Sequence, residues 1–560
     1  KCQLFDMLPN NGASYPKGSK VEVSMAKEVA AEVFPETLNA AAALIDENVK
    51  CGRGDRVAIY YEEWSIGRET GKTTYKELME LTNKMGNALK ELGIHPWDRV
   101  AIMAYDMVEH AVSFMGAIKI GAIPVSLSPF LPPESIKYIL TDNGARAIIG
   151  AEEPIDKVEK MKGELKHLEH TIVIGKSNGN QLSFDKLLKE ASSEPIPEET
   201  HRDAPCCINY TSGTTGPPKG AVHLQHDLPW NADSYAIPMW KLTEDDIFLG
   251  TWPLFFLAGL LPKMAFMWRA GAATVLWPGN PPGRLQPEDF FQLIEKYNVT
   301  ILGGVPTFFL RMLQLKDEEK KHNLSSVRLC ISGAEPLIPT VVQGFKDKFG
   351  VEVIDVLGST EMGYYLSSEI GSDSKGLKTG PGTGVKLMDE DGNEISSPNK
   401  RGKMLIKNDA AAASYWNKHE ETKRLMKGEW FDSGDMYIND EQGFYWYQGR
   451  ADEMIRQKGF WISPKKLENV VTEYPAVLEA AAIQSYDEER LPIAKIFVVI
   501  KEKFIPSPQF AQEIRDFMKS KLPFYEVPSI VDFIDVLPRL PTGKVSRLIL
   551  KQGEEKRTLS

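Results

Sequence analysis

The chain has 560 residues, well beyond the size at which one hydrophobic core stops growing, so at least two domains are expected. It carries 66 basic against 77 acidic side chains, and this net charge of −11 argues against a nucleic-acid partner. No uninterrupted apolar stretch reaches the ~20 residues that span a bilayer, and the N-terminal residues lack the apolar core of a signal peptide.

Short runs of β-branched residues alternate with amphipathic helical patterns along the chain. Thr74 and Glu77 have the spacing of a capping box, which predicts a helix that starts after Thr74 and ends at Gly93. Such alternation is typical of an α/β fold with much parallel sheet. Strands are expected at 56–61, 99–104, 145–150, 206–210 and 300–305.

A domain boundary is predicted near Gly449–Asp452. Before it, the segment 440–443 separates two strand-like runs as a hairpin turn would. After it, the chain carries strand signals of its own at 480–483 and 496–500, and a helix signal at 510–521. These signals favour a small α+β domain after the boundary.

A loop with three glycines, four hydroxyl side chains and one lysine directly follows the strand expected at 206–210. Converging backbone N–H groups and hydroxyls in such a loop can surround a polyphosphate. The loop is not a Walker A motif, because Lys219 lies between Pro218 and Gly220. The candidate phosphate-binding residues are Thr211, Ser212, Gly213, Thr214, Thr215, Gly216 and Lys219.

This loop resembles the phosphate-binding signature of the adenylate-forming superfamily, which includes acyl- and aryl-CoA synthetases, luciferases and adenylation domains of peptide synthetases. The resemblance covers nearly the whole chain, because further segments similar to the family's motifs follow in the same order. It implies an α/β fold with a large N-terminal domain of stacked α/β sheets, residues 1–450. A small, mobile α+β C-terminal domain, residues 451–560, would follow.

Two later segments resemble the family's nucleotide-binding motifs. The segment 355–361 is similar to the one in which a threonine binds the α-phosphate and a glutamate holds Mg²⁺. The resemblance therefore assigns Thr360 to the phosphate and Glu361 to the metal, a hard cation that prefers carboxylate and phosphate oxygens. The other nucleotide contacts that it implies are Gly333, Ala334, Glu335 and Pro336 on the adenine side, with Asp355, Gly358 and Ser359.

The segments around the predicted boundary resemble the ribose site and the hinge of the family. Asp435 matches the aspartate that accepts hydrogen bonds from the ribose hydroxyls. Arg450 matches a ribose or phosphate contact, and Asp452 matches the pivot residue of the hinge. The resemblance thus implies that the C-terminal domain rotates about Asp452.

The C-terminal domain carries the segments that resemble the two alternating catalytic surfaces of the family. Lys544 follows a Pro-Thr-Gly turn and matches the mobile lysine that serves adenylation. Arg456, Lys458 and Gly459 match the surface that serves thioester formation, although many relatives have lysine in place of Arg456. Because arginine presents its charge as a planar fork, the contact there differs in geometry.

The implied acyl pocket is similar to that of benzoate-CoA ligases and of medium-chain acyl-CoA synthetases. Acetate-specific relatives have a tryptophan at the position of Gly358, so glycine leaves room for a larger acid. Benzoate-CoA ligases have histidine at the position of Tyr364. We expect a cyclic, aromatic, medium-length or branched acid, with Phe255 and Phe256 equally compatible with plain core. The pocket residues are Phe255, Phe256, Leu257, Val305, Gly358 and Tyr364.

The resemblance implies an AMP-forming acyl-CoA synthetase that uses ATP, Mg²⁺ and coenzyme A. A carboxylate and ATP would give acyl-AMP and pyrophosphate, and acyl-AMP and coenzyme A would give acyl-CoA and AMP, with the reverse direction left open. One alternative is an adenylating enzyme that passes its acyl group to a carrier protein in trans. Another is a catalytically silent nucleotide or acyl-CoA sensor, against which the retention of Thr360, Glu361, Asp435 and Lys544 speaks.

The expected partners are a small carboxylic acid and coenzyme A, and a homodimer is compatible with the sequence. Five cysteines without a regular spacing indicate reduced thiols and a cytoplasmic protein. His226 invites a catalytic role, but a structural or pocket-lining histidine is expected, because a carboxylate nucleophile needs no general base.

Overall fold

Strands and helices alternate as the sequence predicts, and they form two compact units. The computed structural model describes residues 34–62, 70–179, 181–195, 197–211, 217–317, 321–335, 337, 339–372, 376–457, 460–487, 489–501, 503–539 and 545–559. The first unit comprises 1–211, 218–384 and 407–426, and the second comprises 212–217, 385–406 and 427–560. The predicted boundary at Gly449–Asp452 falls inside the second unit, so the domains 1–450 and 451–560 remain a prediction about which segments move together.

The first unit contains two large, mostly parallel sheets. In the nine-stranded sheet the order is β16-β15-β14-β13-β12-β10-β11-β1-β2, and in the eight-stranded sheet it is β19-β9-β8-β4-β3-β5-β6-β7. The strands are β1 Val57–Tyr61, β2 Gly71–Thr74, β3 Arg99–Met103, β4 Ile123–Ser126, β5 Ala147–Ala151, β6 His170–Ile174, β7 Leu182–Ser183, β8 Pro205–Tyr210, β9 Gly220–Leu224, β10 Ile247–Gly250, β11 Ala273–Leu276, β12 Ile301–Gly304, β13 Leu329–Gly333, β14 Val353–Ser359, β15 Gly363–Ser367, β16 Lys378–Thr379 and β19 Ser414–Tyr415.

Helices cover the sheets of the first unit. The α-helices are α1 Tyr75–Glu91, α2 Val108–Lys119, α3 Pro133–Asn143, α4 Glu152–Glu159, α5 Phe184–Glu190, α6 Asp227–Asn231, α7 Ile237–Trp240, α8 Leu257–Leu260, α9 Met267–Ala270, α10 Pro287–Tyr297, α11 Pro306–Gln314, α12 Pro339–Phe349 and α13 His419–Leu425. Short π-helical turns lie at Ala42–Asp46, Val49–Arg53, Ala232–Ala236 and Leu261–Phe266, and a 3₁₀ turn lies at Lys162–Glu164.

The main core of the first unit lies between its two sheets. Helices α1 and α2 contribute Met85 and Phe114 to the same buried cluster as Ile102 of one sheet and Ile331 of the other. The two helices can approach closely because α2 has Gly116, where an added Cβ would lie 2.7 Å from the Met85 side chain. This layering of sheets and helices confirms the predicted fold class.

The N-terminus of α1 confirms the predicted capping box. The Thr74 side chain accepts a hydrogen bond from the Glu77 N–H, and the Glu77 carboxylate accepts one from the Thr74 N–H over 2.7 Å. These bonds satisfy two donors that the helix itself leaves without partners. The helix ends at Glu91, two residues before Gly93, which has a φ of +79°.

The second unit contains one five-stranded sheet and two smaller sheets. Its strands are β17 Gly384–Met388, β18 Arg401–Lys407, β20 Met426–Lys427, β21 Trp430–Asn439, β22 Tyr445–Arg450, β23 Ile455–Gln457, β24 Phe460–Ile462, β25 Val477–Tyr486, β26 Pro492–Ile500 and β27 Ile530–Phe533, and its helices are α14 Pro464–Thr472, α15 Pro508–Lys521 and α16 Arg547–Leu559. The hairpin predicted at 440–443 joins β21 to β22, where the Gly443 N–H donates to the Asp440 carbonyl over 3.1 Å.

Two further features concern the membrane and the thiols. No helix among the described residues combines the length and the apolar character needed to cross a bilayer. Cys206, Cys207 and Cys330 are free and buried. Cys51 is disulfide-bonded, so the expectation of five reduced cysteines is wrong for this residue. Disulfide formation depends on proximity in space, which irregular spacing in sequence does not reveal.

Candidate active site

Hydrogen bonds close the base of the predicted phosphate loop, which joins the antiparallel strands β8 and β9. The Thr211 N–H donates to the Lys219 carbonyl over 2.9 Å, and the Lys219 N–H donates to Oγ1 of Thr211 over 3.4 Å. The Tyr210 hydroxyl, at the end of β8, donates to Oδ2 of Asp142 over 2.6 Å. Ser212, Gly213, Thr214, Thr215 and Gly216 lie outside the described residues.

Glu361, the predicted Mg²⁺ ligand, follows β14 and is held by the segment that forms β19. Its Oε1 accepts a hydrogen bond of 2.6 Å from the Tyr415 hydroxyl, and its carbonyl accepts one of 2.6 Å from the Ala412 N–H. The Nζ atom of Lys219 lies 5.0 Å from the centre of the Tyr415 ring. Tyr415 therefore contacts both the metal-ligand candidate and the lysine of the phosphate loop.

Thr360, the predicted α-phosphate contact, is fixed through its main chain. Its carbonyl oxygen accepts a hydrogen bond of 2.8 Å from Nε2 of His223, a buried residue of β9. The other ring nitrogen, Nδ1, lies 2.9 Å from Oδ2 of Asp227. Burial opposes the charged form of His223, but the hydrogen bond and charge of Asp227 outweigh it and raise its pKa to about 9.

The polar atoms around Glu361 suit a magnesium phosphate. Within the described part of the chain, Oε2 of Glu361 accepts no hydrogen bond, which leaves one carboxylate oxygen for a ligand. The buried Oγ of Ser359 also has no partner among the described residues. Because Mg²⁺ typically takes one or two carboxylates together with phosphate oxygens, Glu361 fits the predicted role.

The predicted adenine contacts lie on neighbouring parallel strands. Gly333 ends β13 and pairs with Val356 of β14, next to the pair of Ser332 with Asp355. Burial raises the pKa of Asp355 to about 7, although backbone N–H groups of Leu337 and Val356 oppose the shift. Ala334 follows with a φ of +68°, and Glu335 is half-buried, whereas Pro336 lies outside the described residues.

The predicted ribose contacts pair across β21 and β22 of the second unit. Asp435 lies opposite Arg450, whose Nη1 is 3.2 Å from Oδ1 of Asp435 and donates to the Ser433 carbonyl over 2.7 Å. Burial raises the pKa of Asp435 to about 6, and the charge of Arg450 opposes this rise. The exposed Asp452 is 3.7 Å from Nε of Arg450.

The predicted thioester surface is described only in part. Arg456 is exposed in β23, and its N–H donates to the Gln484 side chain over 3.0 Å. Lys458, Gly459 and Lys544 lie outside the described residues. Their roles remain predictions.

Three of the six predicted acyl-pocket residues are buried in the first unit. Phe255 and Leu257 are buried, Phe256 and Val305 are half-buried, and Gly358 is exposed. An added Cβ at Gly358 would lie 2.7 Å from the Gly363 carbonyl oxygen, so the backbone there leaves no room for a side chain.

Tyr364 is also buried, and its hydroxyl donates to the Ala258 carbonyl over 2.8 Å. Its ring centre lies 5.6 to 5.8 Å from those of Phe266, Tyr235 and Trp240, so this side chain belongs to an aromatic cluster.

Three residues that support the site were missed from the sequence. His223 and Tyr415 hydrogen-bond to the Thr360–Glu361 segment and Asp227 bonds to His223, yet none of the three was among the predicted site residues. The spacing of His223 and Asp227, four residues apart, was the available signal. His226, in contrast, is structural as expected, since its ring nitrogens lie 2.9 and 3.0 Å from the carbonyl oxygens of Arg202 and Asp409.

The chain belongs to the AMP-binding enzyme family. Residues 45–416 match the main domain of the family, and residues 466–544 match the AMP-binding enzyme C-terminal domain. This membership confirms the predicted relation to the adenylate-forming enzymes.

Particular relatives lie among the acid–CoA ligases. The benzoate–CoA ligase of Thauera aromatica is 34% identical over 93% of this chain and 97% of its own length. The acetyl-coenzyme A synthetase of Bacillus subtilis is 32% identical over 92% of this chain and 91% of its own length. A crystal structure of an anthranilate–CoA ligase in complex with anthranoyl-AMP is 32% identical, has a TM-score of 0.86, and is matched over 95% of this chain and 100% of that one.

Proposed function

We propose that this protein is an AMP-forming carboxylate–CoA ligase. The observation that carries the proposal is the fixed Thr360–Glu361 segment, held by His223 and Tyr415 beside the base of the phosphate loop. A sensor would not need an oriented carboxylate next to a phosphate contact. The relatives named as CoA ligases, matched over nearly their full lengths, support the same reaction.

The first half-reaction joins two anions, a carboxylate and ATP. A carboxylate oxygen of the acid attacks the α-phosphorus, the bond to the β-phosphate oxygen breaks, and pyrophosphate leaves with the electron pair. Thr360 and the loop residues Thr211–Gly216 donate hydrogen bonds to the phosphate oxygens, and Lys219 and Lys544 add positive charge. Glu361 is the residue that holds Mg²⁺, which when bound neutralises phosphate charge.

The second half-reaction forms the thioester. The thiol sulfur of coenzyme A attacks the acyl carbonyl carbon, and AMP leaves with the bonding electron pair while the thiol proton passes to solvent. Asp435 and Arg450 hold the ribose of the nucleotide through both steps. Rotation about Asp452 exchanges Lys544 for the surface of Arg456, Lys458 and Gly459, a hinge motion of the domain-closure type.

The acid is aromatic or of medium chain length. The apolar residues Phe255, Phe256 and Leu257, with Val305, offer burial to a ring or an alkyl chain, which contributes about 25 cal/mol per Å² of apolar surface removed from water. Similarity to the benzoate–CoA ligase of T. aromatica and to the anthranilate–CoA ligase supports this choice. Because the acetyl-coenzyme A synthetase of B. subtilis is also similar to this chain, acetate is the substrate to compare with the larger acids.

One assay separates these functions. AMP and pyrophosphate release is measured with ATP, Mg²⁺ and a panel of carboxylic acids, with and without coenzyme A. Release that depends on both the acid and coenzyme A supports the ligase, whereas release that needs a carrier protein instead of coenzyme A supports transfer in trans. Binding of magnesium ATP without turnover on any acid contradicts the proposal.

Two further proposals concern the cellular location and the assembly of the protein. ATP and coenzyme A are intracellular metabolites, so we propose that the enzyme acts in the cytoplasm as a monomer or homodimer, without a nucleic-acid partner. Size-exclusion chromatography with light scattering, with and without a double-stranded oligonucleotide, tests the assembly and the absence of nucleic acid.

A further inference from the structure

We propose that His223 and Asp227 are positioning residues that hold Thr360 where it contacts the α-phosphate of ATP. The inference rests on the proposed function, because it concerns the same phosphate site. Both side chains are buried, and His223 bonds to the Thr360 carbonyl, so both residues would act through Thr360.

The hydrogen-bond partners of the His223 imidazole support this role. Nε2 of His223 faces the Thr360 carbonyl at 2.8 Å, and Nδ1 faces Oδ2 of Asp227 at 2.9 Å. A carbonyl and a carboxylate both accept hydrogen bonds, so both ring nitrogens donate and the ring is an imidazolium. The raised pKa of His223 agrees with this protonation state at neutral pH.

Both members of the pair are buried. The side chains of His223 and Asp227 are 2% and 1% exposed, so this ion pair is desolvated. A buried charge is tolerated only when its partner and its remaining hydrogen bonds are in place. Oδ2 of Asp227 also accepts a hydrogen bond of 3.0 Å from the Leu224 N–H, which fixes the carboxylate against β9. The other oxygen, Oδ1, lies 3.3 Å from Nε2 of His226 and accepts no hydrogen bond within the described part of the chain. The Asp227 carboxylate is therefore fixed to β9, and the His223 imidazole that it bonds can fix the position of Thr360.

His223 connects its own sheet to the segment that follows β14. His223 lies on β9 of the eight-stranded sheet, four residues after Lys219 at the end of the phosphate loop. Thr360 directly follows β14 of the nine-stranded sheet. The hydrogen bond between His223 and Thr360 thus connects the predicted α-phosphate contact to the strand that begins directly after Lys219. A displacement of about 1 Å in such a group can lower a rate ~100-fold.

The test uses the two diastereomers of ATP that carry sulfur on the α-phosphorus. If Thr360 contacts one of the two α-phosphate oxygens, the wild-type enzyme prefers one diastereomer in ATP–pyrophosphate exchange. His223→Ala should lower the exchange rate about 10- to 100-fold and move the diastereomer ratio towards one. His223→Gln retains an N–H donor that can reach the Thr360 carbonyl. It should therefore keep more of the wild-type exchange rate and more of the diastereomer preference than His223→Ala.

A histidine outside the pair supplies a matched control. His110→Gln removes a fully buried ring whose nitrogens face the Ala104 carbonyl and the Ser126 hydroxyl, so its diastereomer ratio should equal that of the wild type. A double-mutant cycle with Thr360→Ala adds a second readout. Because His223 acts through Thr360, His223→Gln should change neither rate nor ratio further once the Thr360 side chain is removed.

The outcomes separate this inference from the proposed function. A wild-type diastereomer ratio in His223→Ala and His223→Gln, or fully additive effects with Thr360→Ala, overturns the positioning role and leaves the ligase proposal intact. Absence of exchange with every acid in the wild type overturns the ligase proposal. In that case the ratio of the binding affinities for the two diastereomers is measured instead. An affinity ratio in the His223 variants equal to that of the wild type still overturns the positioning role.

Discussion

The Tyr415 hydroxyl lies 2.6 Å from Oε1 of Glu361 and donates a hydrogen bond to it. This bond fixes the carboxylate while the Tyr415 ring packs under Lys219. Tyr415→Phe keeps the ring and removes only the hydroxyl. We expect it to raise the Mg²⁺ concentration for half-maximal ATP–pyrophosphate exchange about 10-fold, the usual cost of removing a residue that orients a metal ligand.

Tyr297→Phe is the matched control for this variant. The Tyr297 hydroxyl donates to Oε1 of Glu62 over 2.8 Å, a second tyrosine–glutamate pair that the proposed site does not use. The Mg²⁺ concentration for half-maximal exchange in Tyr297→Phe should equal that of the wild type. Equal shifts in both variants would refute the assignment of Glu361 as the metal ligand.

The division of labour between the two half-reactions depends on Lys544. Lys544→Ala should abolish adenylation, because the charge that develops on the phosphates loses a cation, but should spare thioester formation from a supplied acyl-adenylate. The two steps are measured separately, as pyrophosphate exchange and as acyl-CoA production from acyl-AMP. Equal losses in both assays would contradict the alternation about Asp452.

The acyl pocket predicts an order of substrates. Benzoate, cyclohexanecarboxylate and fatty acids of about four to eight carbons should have higher kcat/KM values than acetate, because each buried CH₂ contributes about 0.8 kcal/mol. A panel of carboxylates with AMP detection measures this order. If acetate gave the highest kcat/KM, the pocket assignment would be wrong.

The buried pair of His223 and Asp227 predicts a dependence of stability on pH. The pKa of His223 is about 9 in the folded protein against 6.5 for a free histidine, so between these values the folded state binds more protons than the unfolded state. The stabilisation is complete below pH 6.5 and is lost as the pH rises to about 9. The loss is on the order of 3 kcal/mol in the free energy of unfolding.

Denaturant unfolding at several pH values tests this dependence by comparison with His223→Gln, which cannot titrate. The difference in free energy of unfolding between wild type and variant should shrink as the pH rises from 6.5 to 9. A constant difference across this range would show that His223 is neutral in the folded protein.

Local signals were predictable from the sequence, and long-range contacts were not. The capping box of Thr74 and Glu77 depends on residues three apart, and the hairpin at 440–443 joins adjacent strands, so both followed from short patterns. The bond from His223 to Thr360 joins residues 137 apart, and that from Tyr415 to Glu361 joins residues 54 apart. Such contacts arise only when two sheets pack, which no local pattern encodes.

The aromatic contacts of Tyr364 are also long-range contacts that no local pattern predicts. Its neighbours Tyr235, Trp240 and Phe266 come from more than 90 residues earlier in the chain. The resemblance to benzoate-CoA ligases indicated only that Tyr364 occupies a pocket position. The order of the family-like segments predicted candidate nucleotide-binding residues but not their orientation. Packing between the sheets supplies that orientation through side chains outside the motifs.

The stoichiometry of the complete reaction tests the proposed ligase activity directly. Purified enzyme is incubated with benzoate or another accepted acid, magnesium ATP and coenzyme A, and the products are quantified by chromatography. We expect one AMP, one pyrophosphate and one acyl-CoA for each acid consumed, with no AMP when the acid is omitted. Formation of ADP and phosphate, or nucleotide binding without turnover on any acid, would contradict it.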